Sequence, residues 1–185
     1  MGGTPSGGVL TVQGHNTGGA IRLVGQDTPS FSLSSAVIRI PTPVGSTAVC
    51  GLWHPVGTKK VLIQRVVIAF HGGTTGEVSL RGTRTTAAGA GTAITPAPME
   101  LGDTTTQTGL TTFTTQPTLG ADLFSFAARA DKAGSFVWEA GPTAKPITLR
   151  AAQAEGFAVR AVVEFGVLGS GTGFSVSATI HWQEA

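Results

Sequence analysis

The sequence predicts an all-β protein, a two-sheet antiparallel β-sandwich of jelly-roll type, and three observations carry that expectation. The first is a pair of alternating segments near the end of the chain. Phe157, Val159, Ala161, Val163, Phe165 and Val167 form one apolar face against Arg160, Val162 and Glu164, and Phe174, Val176, Ala178, Ile180 and Trp182 form another against Ser175, Ser177, Thr179 and His181. The second is the run from Lys59 to Phe70, apolar and rich in β-branched residues that suit a pleated surface better than a helix. The third is composition: 41% hydrophobic, only 12% charged and 27 glycines, which favours many short strands closed by turns over helices or disorder. At 185 residues the chain suffices for one domain with a substantial core.

Residues 1–19 are glycine-rich and nearly coreless, so they read as an N-terminal arm, and the sandwich as residues 20–185. Within the arm Val9, Leu10 and Val12 offer a short segment able to add to a sheet edge. Ala20 to Gly25 is the first expected strand. Ser30 to Ile40 is the second, interrupted at Ser34-Ser35 and stopped by Pro41 and Pro43. Thr47 to Trp53 is the third, and the turn His54-Pro55-Val56-Gly57-Thr58 is expected to fold it back onto the Lys59–Phe70 strand as a hairpin. Taken alternately, that central strand shows Leu62, Val66, Ile68 and Phe70 around Gln64 on one face, and Val61, Ile63, Val67 and Ala69 around Arg65 on the other. Neither face is written for water, so the sequence predicts a second cover outside the sandwich. The turn His71 to Gly76 leads to a strand over Gly76 to Thr86, with Val78 and Leu80 inward and Glu77, Ser79 and Arg81 outward, which would complete a three-stranded meander.

Ala87 to Thr118 is rich in Ala, Gly, Thr and Pro and reads as a long excursion, with an extended edge segment as its only candidate element. Strands return at Leu123–Ala130, Ser135–Glu139 and Ile147–Ala151. The last two long strands are separated by Gly169-Ser170-Gly171-Thr172-Gly173, a loop of hairpin length.

Sites of known chemistry find little support. The same glycine-rich loop begins like a dinucleotide fingerprint but leads into a strand, whereas phosphate cradling uses a helix N-terminus. Gly57-Thr58-Lys59 lacks the order of a phosphate loop. His15, His54, His71 and His181 are mutually remote and read as surface or turn residues, and no nucleophile elbow accompanies His181 and Asp122. No catalytic residue, metal ligand or cofactor site is assigned, and an enzyme is not expected. The net charge of +2 comes from scattered residues rather than a basic stripe, which argues against direct nucleic-acid binding. Cys50 is alone and reads as a buried thiol. The first eight residues lack signal-peptide regions, and no apolar run approaches a membrane span, so cytosol-like conditions and no membrane contact are expected. Met1-Gly2 superficially fits a myristoylation pattern of a kind that arises by chance. Arg65 and Glu164, each mid-strand on apolar ladders, are candidates to pair across strands or across a subunit contact, or else to reach solvent. Trp182 follows an inward register, leaving Trp53 ahead of Trp138 as the candidate for exposure.

The segment Leu52-Trp53-His54-Pro55-Val56-Gly57-Thr58-Lys59-Lys60-Val61, the strand Leu62 to Phe70 and the ending His181-Trp182-Gln183-Glu184 resemble small β-sandwich virion proteins of tailed bacteriophages, over about Gly51 to Glu184. The resemblance implies a non-enzymatic component of a virion assembled in the host cytoplasm: a head decoration (cement) protein, or alternatively a tail protein. Its implied partners are the major capsid protein or another virion protein. The doubly apolar strand points independently to a homo-oligomer, and capsid lattice positions favour a trimer. The candidate interface residues are Val9, Leu10, Val12, Trp53, Val61, Ile63, Arg65 and Val67. A jelly-roll carbohydrate-binding module is the alternative of another class. It requires Trp53 or Trp138 beside polar groups on a concave face.

Overall fold

A computed structural model describes residues 29–35, 37–39, 46–57, 59–72, 76–100, 102–105, 107–141, 144–165 and 174–185. The arm, the expected strand at 20–25 and the loop at 169–173 lie outside them, as do Val9, Leu10, Val12 and His15.

Thirteen strands occur among the described residues. They are β1 (Ser30–Ser34), β2 (Ile38–Arg39), β3 (Ser46–His54), β4 (Val61–His71), β5 (Glu77–Ala87), β6 (Ala90–Ile94), β7 (Ala97–Pro98), β8 (Thr108–Thr115), β9 (Thr118–Arg129), β10 (Gly134–Glu139), β11 (Ile147–Leu149), β12 (Glu155–Phe165) and β13 (Ser175–Glu184). They make two antiparallel sheets packed face to face. In the first, the order is β10-β4-β13-β1-β7, with β11 also on β4 and β2 also on β13; in the second it is β6-β8-β3-β12-β5-β9. Without the insertion β6 to β8, the principal strands follow β1-β13-β4-β10 and β3-β12-β5-β9, which is jelly-roll order.

This order overturns both expected hairpins. β3 and β5 belong to the second sheet and β4 to the first, so the chain crosses the sandwich at each turn and no meander forms. β12 and β13 likewise fall in different sheets. The reason is reach: a few extended residues at about 3.3 Å each span the roughly 10 Å between packed sheets as readily as they fold back. Turn residues therefore mark where a strand stops without choosing its next partner.

The central strand departs from simple alternation. Opposite β13, Arg65 pairs with His181 and Ile63 with Trp182, which leaves Gln64 as the extra residue of a β-bulge. One inserted residue reverses the faces beyond it. Val61 and Ile63 therefore share the inward side with Val66 and Ile68, all at most 1% exposed, and Phe70 packs against the same core. The outward side carries half-buried Leu62 and Val67 with exposed Arg65, Ala69 and His71. The strand is thus not apolar on two equivalent faces; one core face was split between two by the bulge.

Between the sheets lie Phe31, Leu33, Leu52, Leu80, Phe157, Phe174 and Trp182, all buried. Each such side chain contributes roughly 1.5–3 kcal/mol on leaving water. Trp182 stacks on Phe31 at 5.6 Å between ring centroids. Cys50 is buried among them, as expected, and desolvation pushes its thiol up to about 12.

The excursion at 87–118 is more ordered than its composition indicates. β8 pairs with β3 and with β6, extending the second sheet, while β7 pairs with β1 in the first. The insertion therefore grips both sheets at one side of the sandwich. Gly109 lets β8 pass over Leu33, since a β-carbon there would lie 2.3 Å from Leu33 Cδ1.

Candidate functional site

Opposite the insertion, the sandwich is closed by the edge strands β9 and β10, and aromatic rings from both meet between the sheets. Phe126 stacks on Phe136 at 4.8 Å and 6°, and Phe124 on Trp138 at 5.6 Å and 10°. The inward positions of β9 and β10 bring these four rings together.

Beside Trp138 lies a groove of about 460 Å³, within the range of small-molecule sites. Its walls are Trp138 of β10, Leu123 from a register irregularity of β9, Arg84 of β5, and the segment 144–148 running into β11, including Lys145, Pro146 and Thr148. Arg84 occupies an inward position of β5, following Val78, Leu80 and Gly82 at alternate places. A guanidinium there is tolerated because its Nη1 donates to Thr148 O at 3.1 Å and to Glu155 Oε2 at 2.9 Å. Glu155 is 4% exposed and also accepts from the backbone N–H, Nε and Nη2 of Arg150. Burial pushes its carboxyl up, but the Arg150 bonds and the Arg84 charge outweigh this and hold it below its ordinary value.

A second polar cluster lies on the outer face of the second sheet. Arg160 Nη2 donates to both oxygens of Asp122 at 2.8 Å, Arg81 Nη1 to Oδ2 at 2.9 Å and Thr83 Oγ1 to Oδ1 at 2.6 Å; Arg81 Nη2 also donates to Glu164. Burial raises the Asp122 carboxyl, yet these donors win and bring it to about 2. Two cations face two anions, so the cluster staples β5, β9 and β12 together and its charges are spent on one another. Glu164 thus pairs with Arg81, not Arg65, which lies in the opposite sheet.

A third cluster is buried near the end of β3. His54, expected at the surface, is 1% exposed, with Nδ1 2.8 Å from Gln107 Oε1. Its Nε2 has no hydrogen-bond partner among the described residues. Glu184, 3% exposed, accepts from the Thr105 hydroxyl and lies 3.8 Å from Lys59 Nζ.

Of the candidate interface residues, Val61 and Ile63 belong to the core and present no surface. Arg65 and Val67 remain on the outer face of β4, where Val67 stands directly opposite Val137, itself 45% exposed. Trp53 and Trp138 are both half-buried. Trp53 lines a slot of about 10 Å³ beside Phe113 and Phe157, room for about one water, whereas Trp138 lines the groove of about 460 Å³. The sequence signal for the groove was a cation in the inward series of β5, masked by the Thr-Arg-Thr setting of Arg84. His181 and Asp122 lie in opposite sheets and form no triad. Burial first, and then the charge of Arg65, lowers His181. Among the described residues no group of three or more His, Cys, Asp or Glu is placed to hold a metal ion, and no helix is long and apolar enough to cross a membrane.

Comparison of the chain with protein-family models, with curated proteins and with solved structures finds no match.

Proposed function

We propose that the chain is a non-enzymatic structural component of a bacteriophage particle, a head decoration (cement) subunit that works as a homotrimer and stabilises the capsid through subunit contacts. The observation that supports this reading is the Val67–Val137 pair. These two side chains stand opposite each other on the outer face of the first sheet, with Thr179 on the far side of Val67. A β-branched pair set in a row of small and hydroxylated residues suits burial against another subunit, the usual role of an exposed apolar patch. The sequence resemblance points the same way.

Immunogold labelling of particles from the strain that carries the coding sequence tests the location. The proposal expects label over heads; label over tails transfers the subunit there, and unlabelled particles overturn the reading. Light scattering tests the association. A trimer that dissociates in Val67→Asp and Val137→Asp is expected, and a wild-type monomer at high concentration would remove the role given to this pair.

A further inference from the structure

We propose that the groove beside Trp138 is a binding site for an acidic saccharide, a sugar bearing a carboxylate or sulfate group. The inference is independent of the particle role proposed above.

The indole of Trp138 is pre-oriented. It lies nearly parallel to the Phe124 ring, 5.6 Å away, so its orientation is fixed by that ring, and the indole lines the groove. A pyranose ring presents a face of C–H bonds that packs on such a surface, with its hydroxyls left at the rim. An aromatic ring fixed by a partner loses little entropy when a ligand stacks on it.

The charges select the sign. Among the described residues the lining contains two cations, Arg84 and Lys145, and no carboxylate. The acid bound to Arg84, Glu155, is already satisfied by Arg150 and Arg84. Only Nη1 of Arg84 is engaged, and among the described residues its Nε and Nη2 have no partner, which leaves donors for a bidentate contact with an anionic group. Lys145 is exposed and makes no ion pair among the described residues. The Thr148 hydroxyl adds a neutral donor and acceptor on the same wall, its present bond to Pro146 O being long at 3.4 Å. Leu123, Ala144, Pro146 and Ile147 complete an apolar lining.

A saccharide fits better than a nucleic acid. Strand tracking needs a series of cations along a groove, whereas here two cations flank one aromatic ring.

Titration calorimetry with trigalacturonate, a sulfated chondroitin disaccharide, the neutral trisaccharide cellotriose and a short oligothymidylate tests the proposal. At least one acidic sugar should bind at millimolar concentration or better, at least tenfold more tightly than cellotriose or the oligonucleotide. Lys145→Glu, at an exposed position that leaves the core intact, should weaken it at least tenfold. Trp138→Ala should abolish binding, with circular dichroism confirming the fold. Absence of binding by both acidic sugars, equal binding of cellotriose, tighter binding of the oligonucleotide, or affinity unchanged in Lys145→Glu would each overturn the assignment.

Discussion

Phe124 lies against the backbone of Gly82: a β-carbon on that glycine would come within 2.3 Å of the ring. The two residues are register partners on β9 and β5, so the missing side chain on one strand makes the seat for the ring on the next. Trp138 rests on that ring in turn.

Gly82→Ala is therefore expected to act as an overpacking substitution, destabilising the protein by about 1–3 kcal/mol. Chemical denaturation measures the loss. Displacement of Phe124 should also alter Trp138 fluorescence, whereas Gly141→Ala, with open space around its position, should change neither.

His54→Ala should cost about 1–3 kcal/mol, because it leaves the Gln107 amide oxygen buried without the Nδ1 donor. Thermal unfolding of the single and double variants tests this. The double variant His54→Ala with Gln107→Leu should lose less than the sum of the two single losses, the coupling expected of two groups that share one buried hydrogen bond.

Acid should loosen the second sheet. Asp122 is held at about 2 against an ordinary 3.8. A carboxyl depressed in the folded state contributes stability that is complete above its unfolded value and is lost as pH falls through the folded one. The expected window runs from about pH 4 down to about pH 2. Glu155, also lowered, adds to the same trend. Stability measured against pH should fall across this window, and less steeply in Asp122→Asn, which starts from a lower plateau.

Thr112 has φ of 47°, a left-handed conformation that a β-branched residue adopts only under strain. Asn tolerates that region, so Thr112→Asn should raise stability by about 1 kcal/mol, read as an increased melting temperature.

Cys50 should be inert in the folded protein. Buried, and with its thiol pushed up to about 12, it lacks both access and thiolate at pH 8. Labelling by a thiol reagent should proceed only as fast as the chain opens and become immediate in denaturant.

Strand positions were legible because alternation and turn residues are local signals. β5, β12 and β13 fall close to where the sequence places them, and the inward setting of Val78, Leu80 and Trp182 follows directly from period two. Partner choice was not legible. Nothing in His54-Pro55-Val56-Gly57-Thr58 distinguishes a return within one sheet from a crossing to the other. The bulge at Gln64 was equally silent, since one inserted residue makes a single buried face resemble two half-buried ones. β8 was legible only as a β-permissive, Thr-rich edge segment, because Thr111 and Gly109 are small or polar, although both are buried: Thr111 through its bond to Val49 O, and Gly109 beneath Leu33. The groove combines residues from β5, β9, β10 and the approach to β11, a meeting that only the sheet order creates.

The sheet order also bears on how the chain is made. Every β-pairing among the described strands joins elements that do not follow one another directly, and of these only β6 with β8, parted by the two-residue β7, is local. β13, the last strand, sits between β4 and β1 and forms the middle of its sheet. During synthesis β1 and β4 must wait for β13 to join them, with their inward apolar faces uncovered while the strands between are made. Such long-range closure makes for slow folding. It also means that a chain stopping short of β13 lacks the centre of one sheet and cannot pass as native.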